Sequence, residues 1–155
     1  MKVKMIAIGN VLMRDDGIAI VLATELIEAL TGLGIQVIFG ETDPGYCISM
    51  VEQGDYLILL DATCLGKTPG EVSSFPLFGF PATQKVATQH SCNFLDLLKL
   101  YYPNTEGSLI GIEIAEIGFH YGLSLALKEK EKEIAREVLE QIKKLVITKQ
   151  ENGRQ

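Results

Sequence analysis

The sequence predicts an α/β domain, a three-layer sandwich in which a mostly parallel, twisted five-stranded sheet is flanked by helices. Three observations predict it. Short runs of β-type residues alternate with helical patterns along the chain, as they do where a parallel sheet is covered on both faces. One run, Tyr56 to Leu60, is apolar throughout, which suits a central strand buried on both sides. The length of 155 residues suits one domain, and a chain of this size buries roughly 68–70% of its unfolded surface without disulfides or a structural metal.

Each element has its own signal. Lys2 to Ile8 reads as the first strand, broken by Gly9-Asn10. From Asp16 onward, Ile18, Val21, Leu22, Leu26 and Leu30 recur at helical spacing. Asp15 or Asp16 stands at the start of this helix, where a carboxylate accepts unpaired backbone N–H groups, and Gly32 and Gly34 end it. Ile35 to Phe39 is a second strand, and Pro44 to Gly54 a short helix opening after Asp43. The central strand Tyr56 to Leu60 ends on Asp61. Glu71 to Leu77 is an edge strand, because Pro76 lacks a ladder donor. Phe78 to Gln89 carries few regular signals, and a helix follows from Ser91 to Tyr101. Leu109 to Ile114 is the fifth strand. The last helix runs from Ser124 to Ile147, with Ile134, Val138, Ile142 and Leu145 on one face and a solvated run of alternating charge from Lys128 to Glu133. Residues 1–148 make up the expected single domain, and the polar residues 149–155 a disordered tail.

Composition narrows the partners. With 14 Lys+Arg against 20 Asp+Glu, the net charge of -6 excludes nucleic acid or an anionic membrane as the main partner, since either needs a basic surface. Cys47, Cys64 and Cys92 form no CxxC pair, which fits a reducing compartment, and at least two read as small buried hydrophobes. The apolar start, Met5 to Ile8, is too short for a signal-peptide core, and no apolar stretch is long enough to span a bilayer. The expectation is a cytoplasmic monomer.

In such sheets ligands collect outside the carboxyl ends of the strands. Asp15 and Asp16 follow the first strand, Asp61 follows the central one, and His90 precedes the next helix, so one cleft can hold all four. Two carboxylates and an imidazole suit a divalent ion such as nickel or zinc, with positions left open for water or substrate. Simpler roles exist for each: either acid can cap the first helix, Asp61 can cap a loop, and His90 can be structural. His120, beside Tyr121, reads as a packing or capping residue. The first turn begins like a dinucleotide-binding motif but lacks the second and third glycines, and its acids would repel a pyrophosphate. There is no GxSxG elbow, HExxH helix or recognisable Cys-His arrangement, so any hydrolysis needs an external electrophile. Paired acids plus Asp61 also resemble the phospho-acceptor pocket of receiver domains, except that the acids come several residues late and Ala115 and Glu116 stand where that family has its lysine. A non-catalytic metal- or protein-binding module is the other alternative.

A closer likeness covers nearly the whole chain. The string Ile8-Gly9-Asn10-Val11-Leu12-Met13-Arg14-Asp15-Asp16-Gly17 resembles the N-terminal motif of the nickel-iron hydrogenase maturation endopeptidases. The resemblance continues at Leu59-Leu60-Asp61-Ala62, at Thr88-Gln89-His90-Ser91 ahead of Leu95-Asp96-Leu97-Leu98, and at Leu109 to Glu113 with Gly122-Leu123-Ser124. It implies an enzyme that trims the C-terminal extension of the hydrogenase large-subunit precursor after nickel insertion. It also implies that Asp16, Asp61 and His90 are the metal-binding and catalytic residues. The nickel would be supplied by the substrate, with another divalent ion able to occupy the site in isolation. Three departures from the family pattern stand out: Asp16 where some members have Glu, Ala19 where many have Gly, and Gly40-Glu41-Thr42 where Gly-Gly-Thr is common. Phe75 to Phe78 and Gly79-Phe80-Pro81 offer apolar contacts for the precursor's tail, or ordinary edge packing.

Overall fold

The computed structural model describes residues 1–78 and 88–154. Its strands are β1 (Val3–Ile8), β2 (Ile35–Glu41), β3 (Tyr56–Thr63), β4 (Val72–Pro76) and β5 (Glu106–Glu113), hydrogen-bonded in the order β2-β1-β3-β5-β4. All pairings are parallel except that of the edge strand β4 with β5. Among the described residues four α-helices accompany them: α1 (Ile18–Gly32), α2 (Pro44–Ser49), α3 (Gln89–Tyr101) and α4 (Leu125–Gly153).

Alternation along the inner strands sorts their side chains into two cores. Met5, Ala7, Ile58, Leu60, Ile110 and Ile112 pack with α1 and α4, whereas Ile6, Ile8, Leu57, Leu59 and Leu109 pack with α2 and α3. The sheet is therefore covered on both faces, which is why β1 and β3 are buried at every position. Phe75 and Phe78 pack against the second core, as the edge-packing reading has it, while Gly79-Phe80-Pro81 lies outside the described residues. Lys4 is buried in β1, where its ammonium donates to the Met50 carbonyl at 2.8 Å and pairs with the buried Asp55 at 2.7 Å.

Several boundaries differ from the sequence expectation. The first helix begins at Ile18, after a 3-10 turn at Arg14–Gly17, and neither Asp15 nor Asp16 caps it. Both carboxylates find donors elsewhere. Strand β3 continues past Leu60, so Asp61 lies within it, opposite Gly111. Helix α2 is shorter than expected, with Asp43 accepting the Tyr46 N–H at 2.9 Å. Helix α4 reaches Gly153, so residues 149–153 are helical and not a disordered tail; Lys149 pairs with Glu106 at the start of β5. A polar sequence concealed this turn because its anchor is a residue 43 positions away.

Removing one member of a buried ion pair strands the other without solvent. Asp55→Ala should lower the unfolding free energy by about 3 kcal/mol in urea titrations, and an unchanged midpoint would show that Lys4 does not depend on it.

Candidate active site

Strand β1 has β2 on one side and β3 on the other, so the chain leaves it in opposite directions and opens a crevice at the carboxyl ends of β1 and β3. The string from Gly9 to Gly17 folds over this point as a tight turn. Gly9 has φ +150°, and a Cβ there would lie 2.1 Å from the Asp16 carbonyl oxygen; one on Gly17 would lie 2.6 Å from Val11 Cα. Both glycines are required by close backbone approach. The turn leaves Asp16 half-buried, with Oδ2 accepting the Asn10 N–H at 3.0 Å.

Its neighbour Asp15 points into the protein. Fully buried, it accepts from the N–H groups of Ala115 (3.0 Å), Glu116 (2.8 Å) and Ser124 (2.7 Å) and from the Ser124 hydroxyl (2.8 Å). Ser124 in turn caps α4. Asp15 thus braces a loop, and the expectation that it joins Asp16 in the cleft is not met.

Asp61 is fully buried too. Its Oδ2 accepts from the hydroxyls of Thr88 and Ser91, each at 2.6 Å, and from the Thr88 N–H at 3.2 Å, while Oδ1 accepts the Ala62 N–H at 2.8 Å. Burial pushes this carboxyl up from 3.8 to about 6, and the hydrogen bonds from Ser91, Thr88 and Ala62 oppose the rise without cancelling it. The same bonds fasten the first turn of α3, whose N-cap is Thr88, to β3. His90, half-buried, lies between the two clamping residues in sequence. The 3-10 turn that carries Asp16 packs on β3 as well. Asp16, Asp61 and His90 therefore belong to segments that meet at one end of the sheet. Among the described residues, no three His, Cys, Asp or Glu side chains form a group able to hold a metal ion.

Sequence reasoning missed Glu113 as a structural acid. Buried at the end of β5, it accepts from the Thr63 hydroxyl at 3.1 Å and from the N–H groups of Leu65 (2.9 Å) and Lys67 (3.2 Å). The available signal was an acid closing an otherwise apolar strand, as Asp61 does. The roles of Thr88 and Ser91 were missed as well, since hydroxyl partners cannot be read without knowing which strand lies opposite. His120 is exposed and joins Met13 in an isolated parallel bridge through its backbone. Exposed Glu41 ends β2 in a left-handed conformation, φ +51°, and its carbonyl accepts the Gly9 N–H at 2.9 Å. Cys47 is buried, and desolvation, with Asp43 adding to it, pushes its thiol up to about 11. Cys92 is half-buried against the second core, and Cys64 is exposed.

The doubly wound sheet and acid-bearing switch point are those of an α/β enzyme, and the family to which the chain belongs does not favour a phospho-acceptor module. The family model described as HycI, hydrogenase maturation protease, matches residues 20–141, a stretch that contains Asp61 and His90 and begins just beyond Asp16. The chain belongs to the hydrogenase maturation protease family and is a peptidase; the known role of that family is to process the C-terminus of the hydrogenase large subunit. Among solved structures it is similar to the [NiFe] hydrogenase maturation protease HybD from Thermococcus kodakarensis, with 26% identity and a TM-score of 0.75 over 92% of this chain and 99% of that one. It is also similar to the hydrogenase maturating endopeptidase HybD from E. coli, at 20% identity and a TM-score of 0.73 over 93% of each chain. The endopeptidase HycI from Escherichia coli is 26% identical, with a TM-score of 0.64 over 88% of each chain. No curated protein matches.

Two measurements probe this geometry. Gly9→Ala should destabilise the fold by roughly 2–4 kcal/mol, because backbone must move to admit the methyl; thermal unfolding reads this directly. Between pH 3.8 and about 6 the folded state holds a proton on Asp61 that the unfolded chain releases. Its stabilisation is therefore complete below that window and is lost as pH rises through it. Wild type should lose stability relative to Asp61→Asn across this range, whereas parallel pH curves would contradict the assignment.

Proposed function

We propose that this chain removes the C-terminal extension of a nickel-loaded hydrogenase large-subunit precursor by metal-assisted peptide hydrolysis, with Asp16, Asp61 and His90 facing the metal. The observation that carries the reading is the Thr88-Asp61-Ser91 clamp. It ties the first turn of α3, and with it His90, to the carboxyl end of β3, beside the strand that leads into Asp16.

The donor chemistry suits the metal. Two carboxylate oxygens and an imidazole are ligands that nickel accepts readily. Nickel arrives with the precursor as part of the substrate, so this chain need not supply a closed ligand set; the precursor's own groups complete it. A divalent charge arriving there is attracted by the carboxylates of Asp16 and Asp61. Such a charge polarises a scissile carbonyl or makes a bound water more acidic. On this reading His90 presents its imidazole, Asp16 and Asp61 present carboxylates, and one of the two acids accepts the proton of the attacking water. Asp16 reaches one methylene less than the Glu of some relatives. The cysteine pattern and the acidic composition are consistent with action in the cytoplasm, as a monomer, on a protein substrate and not on nucleic acid. Among the described residues no helix is long and apolar enough to cross a membrane.

The test is incubation with nickel-loaded and nickel-free precursors, followed by mass spectrometry of the precursor's C-terminus. Cleavage of the loaded form alone is expected. Asp16→Asn and His90→Ala should each lower the rate at least about 100-fold at unchanged melting temperature, while Asp16→Glu retains most of it. Wild-type rates in the first two variants would remove these residues from the mechanism. Tight binding of the loaded precursor without cleavage would favour a non-catalytic binding module instead.

A further inference from the structure

The segment between β5 and α4 exposes large apolar side chains that the fold does not use. Ile117 is 58% exposed, Phe119 87% and Tyr121 76%, and α4 opens on Leu125 at 71%. Leu12, in the turn that carries Asp16, is 48% exposed. Single exposed hydrophobes are ordinary, but a group of them marks an interaction surface.

These residues form a group because their two segments are laced together. Met13 and His120 form a parallel bridge, with the Arg14 N–H donating to the His120 carbonyl at 3.0 Å and the His120 N–H to the Leu12 carbonyl at 2.9 Å. The Asp15 N–H donates to the Glu116 carbonyl at 3.2 Å, and the buried Asp15 carboxylate gathers both ends of the loop, at Ala115, Glu116 and Ser124. Leu12 flanks the bridge on one segment, and Phe119 and Tyr121 flank it on the other. Beside it lies a cleft of about 290 Å³, lined in part by Val11, Val21, His120, Tyr121 and Leu123. The loop is thus fixed by a carboxylate beneath it and leaves its own aromatic side chains to solvent. A loop whose backbone is already fixed loses little freedom on binding.

We infer that Leu12, Ile117, Phe119, Tyr121 and Leu125 form the surface on which the folded body of the hydrogenase large-subunit precursor docks. This rests on the proposed function. Continuity with the site identifies the occupant: Leu12 and Asp16 are joined through Asn10, whose N–H donates to Asp16 and whose side-chain oxygen accepts the Leu12 N–H, so a protein that presents its chain end to Asp16 lies beside Leu12. A second copy of this chain seated there would block the crevice, whereas a precursor occupies the patch only until it has been trimmed. Asp15 is then a positioning residue for docking, distinct in task from Asp16 beside it.

The test compares two double variants with wild type. Phe119→Ser with Tyr121→Ser alters the patch; Leu100→Ser with Tyr101→Ser removes similar exposed apolar surface from the end of α3 (70% and 62% exposed). The probe is the purified nickel-loaded large-subunit precursor, with Kd from biolayer interferometry, KM and kcat from trimming, and sedimentation of each variant alone. The loop pair should raise Kd and KM at least about 30-fold with kcat within about twofold, at unchanged melting temperature, and the α3 pair should change neither. Unchanged Kd and KM in the loop pair, equal losses in both pairs, or a wild-type dimer abolished by the loop pair would overturn the inference. If wild type binds through the patch but does not trim, the docking surface stands and the proteolytic reading falls. If it neither binds nor trims, both fall.

Discussion

A carboxylate shut away from water must find its hydrogen-bond donors in the protein, and at the carboxyl edge of this sheet Asp15, Asp61 and Glu113 find theirs in the loops. Left unpaired, each buried charge would cost several kcal/mol; with charge-assisted bonds from backbone N–H groups and hydroxyls the cost is offset. The benefit is mutual. Irregular segments carry N–H groups that no strand or helix satisfies, and these acids accept from them at Leu65, Thr88, Ala115 and Ser124. Three loops that would otherwise have few interior contacts are thereby held against the ends of β1, β3 and β5.

The arrangement divides the work among acids that look alike in sequence. Asp15 and Asp16 are adjacent, yet a 3-10 turn sends the first into the interior and leaves the second half-buried at the crevice. Asp61 anchors the helix that bears His90, and burial raises its carboxyl to about 6. A peptidase of the hydrogenase maturation family without a nucleophilic serine or cysteine arrangement has reason to place its charged groups this exactingly. The chain's own part is to hold these side chains in register at the end of the sheet. The same economy explains Glu41. Its left-handed backbone supplies the carbonyl that fixes Gly9, a task that glycine would perform with less strain.

Much of the fold was legible because its signals are local. Alternating runs and the wholly apolar Tyr56 to Leu60 were sufficient for a covered, mostly parallel sheet, and Pro76 for an antiparallel edge strand's position at the margin. Boundaries failed where the determining partner was distant: the last turns of α4 rest on Glu106, and Asp61 entered β3 because Gly111 offered it a ladder position. In the site, residue types and order identified Asp16, Asp61 and His90 as candidates, but the same pattern grouped Asp15 with them and overlooked Thr88, Ser91 and Glu113.

What the sequence determined by itself was the class of fold and the identity of the candidate acids and imidazole, since periodicity and residue type are local properties. Tertiary structure alone decided which acid is consumed by a loop and which stays half-buried at the crevice. A carboxylate's role depends on the donors around it, and here those donors lie 27 residues from Asp61 and about a hundred from Asp15.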